Sequence, residues 1–104
     1  MVIKRDNRTV KFDKMKIVDA VLAAFKQIDN DISDYALIKA GNIADYISDI
    51  AKTKDLTVEE IQDLVEKGLM STKRKDVAKA FIVYRDERTH LREMKGNSAN
   101  DNNS

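Results

Sequence analysis

The chain has no cysteine, no proline, no tryptophan and only three glycines in 104 residues. Without cysteine there is no disulfide framework, no thiolate metal site, no cysteine nucleophile and no thiyl radical carried by this chain alone. The absence of proline is permissive for long helices. Gly41, Gly68 and Gly96 stand alone, so neither a GxxxxGK[ST] loop nor a GxGxxG turn is present, and any phosphate must be held by other means. No apolar run approaches the ~18 residues a membrane span needs. The opening MVIKRDN lacks the apolar core of a signal peptide. A cytoplasmic location with no membrane partner is therefore expected. The single histidine, His90, has no second ligand near it in sequence. No nucleophile with a base and no unexplained carboxylate pair is present, so the chain is expected not to be an enzyme by itself.

What is present is helical periodicity and one concentration of charge. At 42% hydrophobic and 36% charged residues the composition suits one small, mostly helical domain. Net charge is +1. The stretch Val2–Lys16 alone carries +4, from Lys4, Arg5, Arg8, Lys11, Lys14 and Lys16 against Asp6 and Asp13, and the remainder sums to −3.

Val2–Arg5 and Thr9–Phe12 read as short strands around Asp6-Asn7-Arg8, whose Asp and Asn tolerate positive φ. A two-stranded hairpin is marginal alone, so it must lie on the helices that follow. Asp13 caps a first helix to about Gln27, with Ile17, Val18, Val21, Leu22, Phe25 and Ile28 on one face. Lys14 and Lys16 sit in its first turn, where the dipole disfavours cations; a lysine-flanked helix start is either a solvated surface or an anion site. Ser33 caps a second helix over about Asp34–Lys52, with Tyr35, Ile38, Ile43, Tyr46, Ile47 and Ile50 on its face. Thr53–Leu56 reads as a link. Thr57 and Glu60 form a capping box for a third helix, and Gly68 followed by Leu69 reads as its C-terminal cap. Glu59 reads as a solvated first-turn acid. Lys73, Arg74 and Lys75 read as solvated surface, and a fourth helix runs from about Lys73 or Asp76 to Glu93, with Val77, Ala80, Phe81, Tyr84 and Leu91 inward. Residues 94–104 read as a polar disordered tail or linker stub. The expected fold is α+β and mostly helical: a short N-terminal β-hairpin lid over a bundle of four helices, in one domain over residues 1–93.

A basic hairpin beside a lysine-flanked helix start is a receptor for a compact polyanion, and a nucleoside triphosphate fits. Asp13 could accept a hydrogen bond from an exocyclic amine, favouring adenine. The competing readings are a small nucleic-acid-binding module and a protein-interaction module using the same hairpin. The overall charge of +1 and the lack of an aromatic pair on the hairpin argue against nucleic acid.

Three segments in order, VIKRDNRTVKFDKMKI, VEEIQDLVEKGLM and VAKAFIVYRDER, together resemble the ATP-cone domain found at the N-terminus of many ribonucleotide reductases and in their dedicated repressor. The repressor's cysteine-rich zinc ribbon is absent here, and the IQDLVE and YRDER segments look most like the anaerobic, glycyl-radical reductases. The resemblance implies an allosteric domain that takes ATP or dATP, with Mg²⁺, under the hairpin, and switches the overall activity of a ribonucleotide reductase. Its partners would be an adenine nucleotide, the reductase catalytic domain and, through nucleotide-dependent packing, further copies of itself. Carried over to this sequence, Val2 would line the adenine pocket. Lys4 and Arg5 would contact phosphates or ribose. Asp13 would read the adenine amine, Lys16 and Gln62 would approach the phosphates, and Arg88 would close the site, with Arg85 a weaker candidate. Two positions depart from the family pattern: Asn7 replaces the usual turn glycine, and Val10 stands where some members carry an acidic adenine contact.

Overall fold

A computed structural model describes the backbone of residues 1–103 and the side chains of residues 1–91. The elements are β1 (Val2–Ile3), β2 (Thr9–Val10), α1 (Lys14–Asp29), α2 (Asp34–Ala51), β3 (Leu56–Thr57), α3 (Val58–Met70) and α4 (Lys75–Asn103). The expected hairpin is present, with Val2 opposite Val10 and Ile3 opposite Thr9. Its turn depends on Asn7, which sits at φ 68°, the left-handed region that costs most side chains about 1–2 kcal/mol. Asp6 supports the turn by accepting from the Arg8 backbone N–H at 3.1 Å and from Arg8 Nε at 2.6 Å. Asn7→Ala should therefore lower stability by about 1 kcal/mol, with Asn7→Gly at least as stable as the parent; urea denaturation measures both.

The hairpin is not a free lid. β1 is the centre of a three-stranded sheet of order β2-β1-β3. β3 lies parallel to β1, with Val2 opposite Leu56 and Ile3 opposite Thr57. The link expected at Thr53–Leu56 thus ends in a strand. Two residues are too few to show period-2 alternation, and their partner is distant in sequence.

All three expected N-caps form. Asp13 Oδ1 accepts from Met15 N–H at 3.0 Å, and Ser33 Oγ accepts from Ala36 N–H at 3.1 Å. Thr57 and Glu60 bond reciprocally at 3.1 and 3.0 Å. The C-terminal expectation at Gly68 does not hold. α3 continues through it to Met70, Ser71 is the C-cap, and no glycine among the described residues takes positive φ. Gly68 instead admits α2. A Cβ there would meet Ile43 Cγ1 at 2.8 Å, too close for an ordinary contact between packed side chains.

The core joins Ile17, Val21, Ala24 and Phe25 of α1 to α2, β3, α3 and α4. α2 buries Ala36, Ala40, Ile43, Ala44 and Ile47, whereas Ile38 (60% exposed) and Tyr46 (57%) face out. Small alanines let α1 and α2 approach closely, and a face ranked by side-chain size misses them. α4 buries Val77, Ala78 and Phe81, but Tyr84 and Leu91, expected inward, are exposed. The helix is longer than the bundle it covers. It also continues past Glu93, the end expected from the sequence pattern. The side chains of the expected polar tail, 94–104, lie outside the described residues.

Arg74 is no solvated surface residue. It donates from Nη1 and Nη2 to Asp29 at 2.9 and 2.7 Å, and from Nε and Nη2 to Asp76 at 3.0 and 2.9 Å. Its guanidinium also lies over the Phe25 ring, 5.8 Å from the centroid. It therefore clasps the end of α1 to the start of α4, and hydrogen bonds to Asp29 and then Asp76 hold its charge more firmly than usual. The Arg74 hydrogen bonds lower the pKa of Asp29 and Asp76. Backbone bonds from Arg8 and Thr57 do the same first for Asp6 and Glu60. A depressed folded pKa means that the unfolded chain takes up protons first as pH falls. The stabilisation from these four carboxylates is complete above about pH 5 and disappears as pH falls below about 4. Urea midpoints measured from pH 7 to 3 should fall across that window, and Asp29→Asn should flatten the slope.

Candidate functional site

The sheet places Lys4 and Arg5 immediately after β1. They line a cleft of ≈ 290 Å³ with Asp6, Arg8 and Val58, the first residue of α3. Three cations and one carboxylate make its wall positive. Arg8 is already held by Asp6 at 2.6 Å. Arg5 Nη2 lies 2.9 Å from Glu59 Oε1 and donates to Thr89 Oγ1 of α4 at 3.3 Å. Lys4, half-buried, pairs with no carboxylate among the described residues, which leaves its ammonium group available to an anion.

Gln62 lies one helical turn beyond Val58, on the stripe that continues to Val65 and Leu69. Its Oε1 is buried without a hydrogen-bond partner, alone in this among the side-chain polar atoms of the described residues. An orphaned buried amide costs about 1–3 kcal/mol. It is relieved by a ligand that supplies an amine to the carbonyl oxygen or, with the amide turned, an acceptor to the N–H₂.

The other expected residues are less gathered. Val2 is buried in β1 beneath the hairpin. Asp13 and Lys16 are exposed at the start of α1, where Asp13 already caps the helix. Lys14 is taken up by an ion pair with Asp45 of α2. Arg88 does not line the cleft; it is exposed, with its guanidinium 5.9 Å from the Tyr84 ring centroid. Arg85 is structural, 2.7 Å from Asp63 and 3.2 Å from Glu66. Sequence reasoning missed Val58, Glu59 and Thr89. Glu59 does stand in the first turn of α3 as expected, but it is Arg5's partner and not a merely solvated acid. A wider cleft of ≈ 340 Å³ lies between α2 and α3, walled by Lys39, Tyr46, Leu64 and Lys67. It contains none of the expected residues, and its Ser71 and Thr72 hydroxyls already donate to backbone carbonyls.

The sequence profile of the ATP cone domain family matches residues 1–90. The chain belongs to that family. The cone is 39% identical over 102 residues to the vitamin B12-dependent ribonucleoside-diphosphate reductase of Thermoplasma acidophilum, covering 90% of this chain and 12% of the relative. It is 35% identical over 95 residues to the anaerobic ribonucleoside-triphosphate reductase of Escherichia coli, covering 91% and 13%. It is 35% identical over 105 residues to the ribonucleoside-diphosphate reductase subunit alpha of Chlamydia pneumoniae, covering 90% and 10%. The cone thus spans about a tenth of the length of these relatives. The domain occurs within ribonucleotide reductase chains of several kinds, as a part distinct from most of their length. Cone domains bind ATP or dATP, and the residues present fit such a ligand: an available lysine and a positive cleft suit the phosphates, while the buried Gln62 amide lies one turn along α3 and is not among the residues that line the cleft.

Proposed function

We propose that this cone binds ATP or dATP beneath the hairpin, with Mg²⁺, and thereby sets the overall activity of a ribonucleotide reductase of which it is one domain. The observation that carries the reading is the orphaned Gln62 amide one turn from a cleft whose Lys4 has no carboxylate partner among the described residues. In this arrangement Val2 lines the adenine pocket from β1. Lys4 and Arg5 take the phosphates, and Asp13 accepts from the adenine amine with the carboxylate capacity its cap leaves over. Lys16 and Gln62 approach the phosphates, and Arg88 closes over the site when α4 moves. Residues 1–93 form the regulatory unit and 94–104 a polar connection.

The parent is an anaerobic ribonucleoside-triphosphate reductase on the IQDLVE and YRDER segments and on the matches to such enzymes in E. coli and Salmonella typhimurium. Its location is cytoplasmic; no helix among the described residues is long and apolar enough to cross a membrane. Regulation requires that ATP and dATP favour different packings of the cone on the catalytic domain or on its own copies, because a ligand shifts an equilibrium only by its difference in affinity for the two states.

Thermal melts with Mg²⁺ and ATP, dATP or GTP test the reading. At ~100 times its dissociation constant a ligand stabilises by about 2.7 kcal/mol, several degrees for a domain of this size. A rise with ATP and dATP and none with GTP is expected. No rise with any nucleotide at millimolar concentration would overturn it.

A further inference from the structure

We propose that Glu59 is an internal stand-in for phosphate, and that the nucleotide acts by taking Arg5 away from it. The proposal rests on the nucleotide reading above and concerns the regulation of that same site. Arg5 is one of two arginines that reach toward Glu59, and the two are held very differently. Arg85 donates to the Glu59 carbonyl oxygen at 3.4 Å, is 2.7 and 3.2 Å from Asp63 and Glu66, and its side chain is only 21% exposed. Arg5 has one carboxylate, that of Glu59, and its side chain is 37% exposed. Arg85 is therefore fixed and Arg5 is the one able to change partner. The position of Glu59 suits the part. It lies in the first turn of α3, where the helix dipole favours a negative charge, and beside a cleft lined by Lys4 and Arg8. In the free protein it neutralises a guanidinium that a triphosphate would otherwise meet unpaired.

The exchange has a second consequence through Thr89. Arg5 Nη2 serves Glu59 and the Thr89 hydroxyl together. Among the described residues, this is the side-chain hydrogen bond that ties the hairpin to α4. When Arg5 turns to phosphate, both contacts are given up at once, and α4 loses its tie to the hairpin while Arg85 still holds it to α3. Nucleotide occupancy thereby releases the part of α4 beyond Arg85 from the hairpin, which is the movement that brings Arg88 over the site.

Calorimetric titration of ATP into the parent chain, Glu59→Gln, Arg5→Ala, the double variant and Asp63→Asn tests the exchange. An exposed ion pair accounts for a roughly two- to fivefold effect, so Glu59→Gln should tighten ATP by about that factor. In the Arg5→Ala background the same change should do nothing, since the competitor then has no arginine to hold. Asp63→Asn removes an equal charge one turn along α3 from a carboxylate held by Arg85, and it should not tighten binding. Amide exchange around Thr89 should change when ATP is added to the parent chain, because its tie to Arg5 is given up. Unchanged affinity in Glu59→Gln overturns the proposal, as does equal tightening with and without Arg5, which would mean a general field effect. Amide exchange around Thr89 unmoved by ATP overturns the link to α4. A parent chain that binds no adenine nucleotide overturns the underlying reading, an outcome distinct from a parent that binds normally while Glu59→Gln is inert.

Discussion

Phe25→Ala should destabilise the domain by about 3–5 kcal/mol, a large part of the roughly 5–15 kcal/mol that holds a domain of this size. Phe25 has no solvent exposure. It sits on the inner face of α1, edge-on to Tyr35 at 6.1 Å with an interplanar angle of 70°, and beneath the Arg74 guanidinium. Truncation would remove the ring from all of these partners and leave a cavity where α1 and α2 meet. It would also take the apolar support from under the arginine that clasps α1 to α4. Phe25→Leu fills much of the space and should cost considerably less. Urea denaturation of the two variants reads the difference, and a loss below about 1 kcal/mol in Phe25→Ala would show that the ring is not central to the core.

Lys4→Ala should weaken ATP roughly 10- to 100-fold with little change in melting temperature. A hydrogen bond to a charged partner contributes about 1.5–3 kcal/mol, and each ~1.4 kcal/mol is tenfold in affinity. Lys4 is the hairpin cation best placed for this because Arg8 is held by Asp6 and Arg5 by Glu59. Its backbone N–H donates to Arg8 C=O at 2.7 Å and its carbonyl accepts from Asn7 N–H at 2.9 Å; neither bond involves the side chain, so the turn survives the substitution. Calorimetry on parent and variant measures the ratio. Equal affinities would move the phosphates away from the hairpin.

Local chemistry is legible in the sequence. Asp13, Ser33 and the Thr57–Glu60 pair can be recognised as caps because a cap is a contact between residues two or three apart. The Asp6-Asn7-Arg8 turn is legible for the same reason, and the charge gathered in Val2–Lys16 marks the hairpin, within which only the family resemblance singles out Lys4 and Arg5. What escapes is decided across the chain. Gly68-Leu69 has the sequence of a helix end, and only the arrival of Ile43 shows that the glycine makes room inside a helix that continues. Arg74 lies in a run of three basic residues that looks like wet surface, until Asp29 and Phe25 come to it from α1. The alanine face of α2 is hidden by larger residues that point outward. Glu59 and Thr89 are invisible as companions of Arg5, because nothing in a linear pattern joins positions so distant, 84 residues apart in the case of Thr89.

The parallel pairing of β1 with β3 also sets an order of events. The chain emerges from synthesis with β1 and β2 first, and a lone pair of two-residue strands is marginal in water. α1 and α2 are neighbours in sequence and share an extensive interface, so they can close early, as local contacts generally do. The middle strand of the sheet must wait until Leu56 and Thr57 have been made and the start of α3 has been capped. The basic cleft, built on that strand and on Val58, therefore cannot form until both helices that precede β3 have been made.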